Sequence, residues 1–206
     1  MNRISINDPE SLQKAVAVLR AGGVIVYPTD TAYGLGADAT NADAVEKVFA
    51  IKNRSENPIP VIVADIEQAK NHVFFSTAGQ KLAEAYWPGA LTLVLTASDP
   101  ALAHIIRAET TIGVRVPGIE WCRQVAHELG KPFTSTSANT AGSPAEYSLE
   151  GAYASLGENA ALVDLWIDGG TLDGGPVSTV VLASEDPVII KREGAVSGAD
   201  IKKVLE

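Results

Sequence analysis

Two short stretches of the sequence concentrate side chains that could bind a phosphate, a ribose or a carboxylate. Residues 27–36 read YPTDTAYGLG and follow an apolar run, and residues 134–140 read TSTSANT. Hydroxyl and amide groups in a loop at the end of a strand are a common ligand-binding arrangement in α/β proteins. An ordinary turn could explain the first stretch, which we expect to be a loop, and helix capping could explain one or two residues of the second. Six small polar residues in these seven positions exceed what capping requires.

Cations accompany these polar stretches in a chain that is short of positive charge. Lys52 and Arg54 follow a predicted helix, where they could complement the helix dipole or bind phosphates. For this pair alone the dipole explanation is favoured, and Lys52 is expected to be exposed and of little importance for stability. Arg115 lies within the apolar run GVRVP and needs a partner, either an internal acid or a carboxylate ligand. The planar guanidinium favours the ligand.

Several familiar catalytic and nucleotide-binding patterns are absent from the sequence or match it poorly. No G-x-x-x-x-G-K-[ST] segment occurs, which excludes a Walker loop. Gly34, Gly36 and Ala39 fit G-x-G-x-x-A but begin six residues too late after the predicted strand. No G-x-S-x-G elbow is present, so a serine hydrolase built on Ser137 is a weak alternative. Cys122 is the only cysteine and there are three scattered histidines, so we predict a buried thiol and no metal site.

Composition and charge limit the class of protein. The formal net charge is −9, which opposes nucleic-acid backbones and acidic membrane surfaces. Hydrophobic residues make up 46% of 206 positions and charged residues 20%, enough apolar material for one domain spanning residues 1–206. The N-terminal sequence MNRISINDPE has no apolar core of a secretory signal, and no apolar run has the length of a membrane span. These features predict a cytoplasmic protein with no membrane partner.

The hydrophobic periodicity predicts helices that alternate with buried strands. A first helix is expected to start at Asn7-Asp8-Pro9 and to stop at Gly22-Gly23, and further helices are expected at residues 41–51, 78–86, 119–129 and 199–205. Strands are expected at residues 24–27, 60–64, 91–96, 113–116, around 133, and at 162–167, 178–182 and 188–191. Several predicted strands follow one another without a helix between them, which indicates a mixed sheet. The predicted fold is therefore a single-domain α/β protein with an open, twisted mixed sheet and flanking helices.

Seven ordered segments together resemble one known family. YPTDTAYGLG, KNR, WPGALTLVL, GVRVP, STSAN, VSTVV and IIKREGAV are similar to the signature segments of the YrdC/TsaC family of threonylcarbamoyl-AMP synthases. They extend from about Tyr27 to Val196 and so cover nearly the whole chain. The resemblance implies an open fold with a large concave cleft that holds ATP beside threonine. The chain is similar to the short family form, without the appended C-terminal domain of longer members.

The resemblance also implies a role for individual residues. Lys52 and Arg54 correspond to the pair that grips the ATP phosphates and serves catalysis. Further nucleotide-binding and threonine-binding roles are implied as follows: Ser137, Asn139 and Arg192 for ATP, and Thr31, Arg115, Ser135 and Ser178 for threonine, with Arg115 taking the amino-acid carboxylate.

The implied reaction joins L-threonine, bicarbonate and ATP into threonylcarbamoyl-AMP and pyrophosphate, for the N6-threonylcarbamoyladenosine modification of tRNA. Mg2+ is expected to accompany ATP, no metal is expected to be held by protein side chains alone, and no general base is assigned. A downstream tRNA threonylcarbamoyl transferase is the implied protein partner.

Departures from the family pattern and two alternatives stay open at this point. The loop after Arg54 reads SENPIP and Ala64 stands where some members carry histidine, so the details of the threonine pocket are open. One alternative is a module that binds double-stranded RNA or tRNA weakly through the cleft cations, which the net charge opposes. The other is a paralogue of the same fold with different carbamoyl chemistry, or a YciO-like branch.

Overall fold

A computed structural model describes residues 1–53, 58–106 and 110–206 of the chain. Strands and helices are interleaved along the chain, as the periodicity predicts. The strands are β1 (Arg3–Ser5), β2 (Ile25–Pro28), β3 (Tyr33–Gly36), β4 (Val61–Ile62), β5 (Val73–Phe74), β6 (Leu91–Ala97), β7 (Thr111–Arg115), β8 (Phe133–Thr134), β9 (Thr136–Ser137), β10 (Leu165–Asp168), β11 (Thr179–Leu182) and β12 (Ile189–Arg192). The helices are α1 (Ser11–Arg20), α2 (Ala42–Lys52), α3 (Ile66–Lys70), α4 (Thr77–Tyr86), α5 (Ala103–Ile106), α6 (Glu120–Leu129), α7 (Leu149–Leu156) and α8 (Gly198–Leu205), with 3-10 turns at Pro100–Leu102 and Gly157–Leu162.

The strands form two open mixed sheets. The smaller sheet has the order β1-β10-β2-β3-β9, in which β1, β10 and β2 run parallel and β3 and β9 join antiparallel. The larger sheet has the order β12-β11-β6-β7-β4-β8, and β5 pairs with the C-terminal end of β6. Parallel pairs occur between β11 and β6 and between β4 and β7. The mixed pairing predicted from consecutive strands is therefore confirmed, but the strands divide between two sheets.

A short polar segment passes from one sheet to the other. β8 belongs to the larger sheet and β9 to the smaller one, and only Ser135 lies between them. The backbone N–H of Ser135 donates to the carbonyl of Pro60 at 2.7 Å, and that of Thr134 donates to Ala37 at 2.8 Å. The crossing places the polar stretch of residues 134–140 between the two sheets.

The core lies on both faces of the sheets. Helices α1 and α6 pack against each other over one side, where Leu19, Cys122 and Val125 are fully buried beside Ile25 and Ile62. A larger apolar cluster joins α2, α4 and the inner residues of β6 and β7. Burial on this scale is the main favourable contribution to folding, and it makes the strand ends that carry polar residues rigid.

The structure corrects two parts of the predicted element pattern. Residues 27–36 are not one loop, because β2 extends to Pro28 and residues 33–36 form the buried strand β3. The strand predicted at residues 162–167 begins only at Leu165, after a 3-10 turn. The sequence does not predict the strands β1, β5 and β9 or the helices α3, α5 and α7, since most are shorter than the window that periodicity needs. Among the described residues, no helix is both long and apolar enough to cross a membrane.

Candidate active site

A cleft of about 340 Å3 opens between the two sheets. Strand ends and loops from both sheets line it, which is where α/β proteins commonly bind small molecules. Six of the residues predicted for the site lie on its wall: Thr31, Arg115, Ser135, Ser137, Ser178 and Arg192. Side chains more than 160 positions apart in sequence therefore meet in one hollow.

The turn between β2 and β3 supplies the first wall of the cleft. The hydroxyl of Thr29 donates to the carbonyl of Ala32 at 2.6 Å and accepts from the backbone N–H groups of Thr31 and Ala32, each at 3.1 Å. A side-chain hydroxyl that bonds the next two or three N–H groups fixes a tight turn. This turn presents the Thr31 hydroxyl to the cleft.

Arg115, the last residue of β7, is 5% exposed and already has an internal partner. Its Nη2 donates to Asp30 Oδ1 at 2.6 Å, its Nη1 to Thr31 Oγ1 at 3.1 Å and its Nε to the Gly89 carbonyl at 2.9 Å. The sequence favours a ligand carboxylate as the partner of this buried charge. That prediction is wrong, because the internal acid Asp30 is its partner. Three of the five guanidinium N–H groups are used, which leaves two without a partner among the described residues.

Arg192 lies at the open side of the same cleft, at the end of β12. Its Nε and Nη2 donate to the Ser178 carbonyl at 3.2 and 2.9 Å, and Nη2 also reaches the Ser178 hydroxyl at 3.2 Å. That hydroxyl lies 3.1 Å from Thr92 Oγ1. Partial burial and the positive charge of Arg115 lower the pKa of Arg192. No carboxylate pairs with Arg192 in the described part of the chain, so this end of the cleft favours an anion.

Lys52 is buried, with 2% of its surface exposed, and this corrects the expectation that it is an exposed cation. Its ammonium donates to the Asn139 carbonyl at 2.8 Å, to Asn139 Oδ1 at 3.0 Å and to the Ser137 carbonyl. We now expect loss of Lys52 to lower stability, since several buried acceptors would lose their donor. Lys52 thus fixes the loop that follows β9.

The loop after β9 is further held by the Asn139 side chain. Its Nδ2 donates to the carbonyls of Ser143 and Pro144 at 2.5 and 2.9 Å, and its Oδ1 accepts from the Ser137 hydroxyl at 2.5 Å. Lys52, Asn139 and Ser143 line a neighbouring hollow of about 350 Å3, which shares Thr136 and Ser137 with the cleft. Arg54, the other predicted phosphate ligand, lies outside the described residues.

Sequence reasoning missed two contributors and correctly dismissed one motif. Asp30 lies in YPTDTAYGLG and Thr92 in WPGALTLVL, and a buried arginine in GVRVP calls for a nearby acid such as Asp30. Gly34 and Gly36 lie in β3, where an added Cβ would come within 2.9 and 2.8 Å of the Tyr27 ring. These glycines therefore serve packing, as expected of a chance match to the dinucleotide motif.

Cys122 is fully buried and its thiol contacts the Pro28 carbonyl at 3.4 Å, so the prediction of a buried thiol is confirmed. Burial raises its pKa, which disfavours the reactive thiolate. The described residues contain no group of three or more histidine, cysteine or acidic side chains arranged to hold a metal ion.

Comparison with known proteins places this cleft in a family context. The family model Sua5/YciO/YrdC, described as "Telomere recombination", matches residues 17–194. The chain belongs to the Sua5/YciO/YrdC family. It is 35% identical over 207 residues to the threonylcarbamoyl-AMP synthase of Bacillus subtilis, covering 99% of this chain and 59% of that protein. The chain thus spans about three fifths of the length of that relative.

Solved structures of Sua5/YciO/YrdC members share the fold. The crystal structure of P. abyssi Sua5 complexed with L-threonine matches with a TM-score of 0.89 and 30% identity, over 99% of this chain and 59% of that one. The crystal structure of E. coli YciO matches with a TM-score of 0.85 and 28% identity, over 97% of both chains. The α/β class and the open arrangement of the sheets are therefore those of the family.

Proposed function

We propose that this chain is an L-threonylcarbamoyladenylate synthase, which forms threonylcarbamoyl-AMP and pyrophosphate from ATP, L-threonine and bicarbonate. The observation that carries the proposal is the pair of guanidinium groups, Arg115 and Arg192, that face one cleft lined with hydroxyls. The 35% identity to a protein with this name supports it, as does the similarity to a Sua5 structure that holds L-threonine.

The cleft suits a reaction between two anionic substrates. The threonine amine first takes up bicarbonate with loss of water, or CO2 with loss of a proton, to give a carbamate. A carbamate oxygen then attacks the ATP α-phosphorus, and pyrophosphate leaves with the electrons of the broken P–O bond. Arg115 provides spare N–H groups for the threonine carboxylate, and the Thr31, Ser135 and Ser178 hydroxyls lie on the same wall. Ser137, Asn139 and Arg192 are assigned to the nucleotide, with Lys52 and Arg54 toward its phosphates. Positioning and charge compensation serve such a step without a general base on the protein.

Mg2+ is proposed as part of the ATP substrate and not as a metal resident in the protein. No carboxylate is among the described residues that line the cleft, and Asp30 behind it is engaged by Arg115 and by the Gly118 N–H. Hard cations such as Mg2+ prefer oxygen ligands, so the described cleft does not fit a protein-held ion. When bound to ATP phosphates, Mg2+ would offset their charge.

Pyrophosphate release measures this function directly. The purified chain should release pyrophosphate from ATP when L-threonine and bicarbonate are both present, and the rate should fall to background when either is left out. Mass spectrometry should detect threonylcarbamoyl-AMP in the same mixture. Release that does not depend on threonine, or none at all, would reject the assignment and would favour a YciO-like branch with other chemistry.

Cytoplasmic localisation and delivery of the product to a downstream tRNA threonylcarbamoyl transferase are further parts of this proposal. Direct RNA binding is less favoured, since Arg115 and Lys52 are 5% and 2% exposed and bonded internally. Cations that contact RNA phosphates lie at the surface and give a strongly salt-dependent affinity.

A further inference from the structure

Asp30 lies outside the lining of the cleft but is bonded to two of the segments that shape it. Its Oδ1 accepts from Arg115 Nη2 at 2.6 Å, and its Oδ2 accepts from the Gly118 N–H at 3.1 Å. Asp30 belongs to the turn after β2, whereas Arg115 and Gly118 lie at and just beyond the end of β7. One carboxylate therefore joins the turn of the smaller sheet to the strand end of the larger sheet.

The approach of Asp30 to this strand end depends on a glycine. A Cβ added at Gly118 would lie 2.9 Å from Asp30 Oδ2 and 3.3 Å from its carboxyl carbon. Contacts this short between non-bonded carbon and oxygen are repulsive, so a larger residue would displace the carboxylate. The close packing shows that the position of Asp30 is set by the fold.

The three bonds of Arg115 fix the plane of its guanidinium from three directions. Asp30 supplies the one negative charge, while Gly89 and Thr31 supply neutral acceptors. Hydrogen bonds between charged partners are about twice as strong as neutral ones, so Asp30 contributes the strongest of the three. Asp30 also offsets part of the positive charge that Arg115 and Arg192 bring to the cleft.

We propose that Asp30 is a positioning residue that holds the Arg115 guanidinium in one orientation and thereby sets the affinity of the cleft for the carboxylate of a small amino acid. Naming that ligand as L-threonine rests on the proposed function. Asp30 itself does not contact the ligand. Its effect is transmitted through the two N–H groups of Arg115 that have no partner among the described residues.

The chain contains a matched control for this idea. Asp168 accepts from Arg3 Nη2 at 2.6 Å and from the Gly170 N–H at 2.9 Å, and its side chain is 23% exposed, as is that of Asp30. Asp168→Asn therefore removes the same charge from a similar aspartate-arginine-glycine arrangement, but Arg3 does not line the cleft.

The experiment compares wild type, Asp30→Asn and Asp168→Asn by two measurements. NMR spectra of protein labelled with 15N-arginine follow rotation of the Arg115 guanidinium, with Arg115→Lys to assign its signals. Calorimetry gives the dissociation constant for L-threonine. We expect slow guanidinium rotation in the wild type and faster rotation in Asp30→Asn, where threonine binds about tenfold more weakly, as loss of one charged hydrogen bond implies. Asp168→Asn should match the wild type in both measurements.

Two results would overturn the positioning role. One is an Arg115 spectrum that Asp30→Asn leaves unchanged, and the other is faster rotation with an unchanged threonine affinity. A general loss of folding would appear in the melting temperature and in the signals of the other arginines, and Asp30→Glu then repeats the test with the charge kept and the geometry altered. If the wild type binds no threonine, the proposed function fails, whereas the spectra still decide whether Asp30 holds Arg115.

Discussion

The cleft and the neighbouring hollow use their cations differently. At the arginine end, formed by Arg115, Arg192 and Ser178, guanidinium groups face the cleft, and Arg115 keeps N–H groups unused by the described residues. At the lysine end, which is the neighbouring hollow lined by Lys52, Ser137 and Asn139, the ammonium bonds one oxygen of Ser137 and two of Asn139. Both ends carry positive charge, but within the described residues the guanidinium groups face the cleft, whereas the ammonium of Lys52 bonds the protein itself.

This difference teaches that a cation in a binding motif can act through the protein instead of on the ligand. An ammonium has three donors, and within the described residues Lys52 makes three bonds, to Ser137 and Asn139. A guanidinium has five donors in a fixed fork, so Arg115 can bond the protein and still bind a ligand. We therefore infer that Lys52 supports ATP binding mainly by shaping the loop at residues 137–139.

Replacement of Arg192 should give the largest effect on activity. Arg192→Gln removes a positive charge that has no acidic partner among the described residues, so kcat/KM for pyrophosphate release should fall about 100-fold or more, as for other preorganised donors. The free energy of unfolding should change by less than about 1 kcal/mol, because Arg192 is mostly exposed and has no acidic partner among the described residues. Steady-state kinetics and urea unfolding measure both quantities. A nearly unchanged kcat/KM would mean that Arg192 does not bind the substrate.

Replacement of Lys52 should instead act on stability. Lys52→Met keeps the length of the side chain but leaves buried oxygens of Ser137 and Asn139 without their donor, so we expect the free energy of unfolding to fall by about 2 kcal/mol. Lys81→Met, at an exposed position of α4, is the control and should change it by less than about 0.5 kcal/mol. Equal urea midpoints for the two variants would contradict the structural role of Lys52.

The sequence predicted which residues line the cleft better than it predicted the contacts between them. Thr31, Ser178 and Arg192 follow or precede strands whose apolar pattern is clear, so their convergence at strand ends was predictable. The partner of Arg115 was not, because Asp30 lies 85 positions away and the contact depends on how the two sheets meet. Local pattern carries no information on such a contact.

Two local misjudgements have physical reasons of their own. The YGLG sequence of β3 predicts a loop because it contains two glycines, which are depleted in strands. The structure explains both glycines by their close contact with the Tyr27 ring. Lys52 was expected at the surface because lysine usually lies there at the end of a helix. The loop after β9 covers it, with the Ala141 N–H bonded to the Lys52 carbonyl at 3.2 Å.

Replacement of Ser178 should have the smallest effect on activity among these variants. Arg192 bonds the Ser178 carbonyl twice and the hydroxyl once, so Ser178→Ala removes only one of these three bonds and the contact with Thr92. If the hydroxyl serves chiefly to support Arg192, which is assigned to the nucleotide, the KM for ATP should rise by less than about tenfold, the size expected for one neutral hydrogen bond. A loss as large as that of Arg192→Gln would instead mean that the Ser178 hydroxyl contacts the ligand itself. Kinetics of both single variants and of the double variant decide between these cases, because residues that act through one another have effects that do not add.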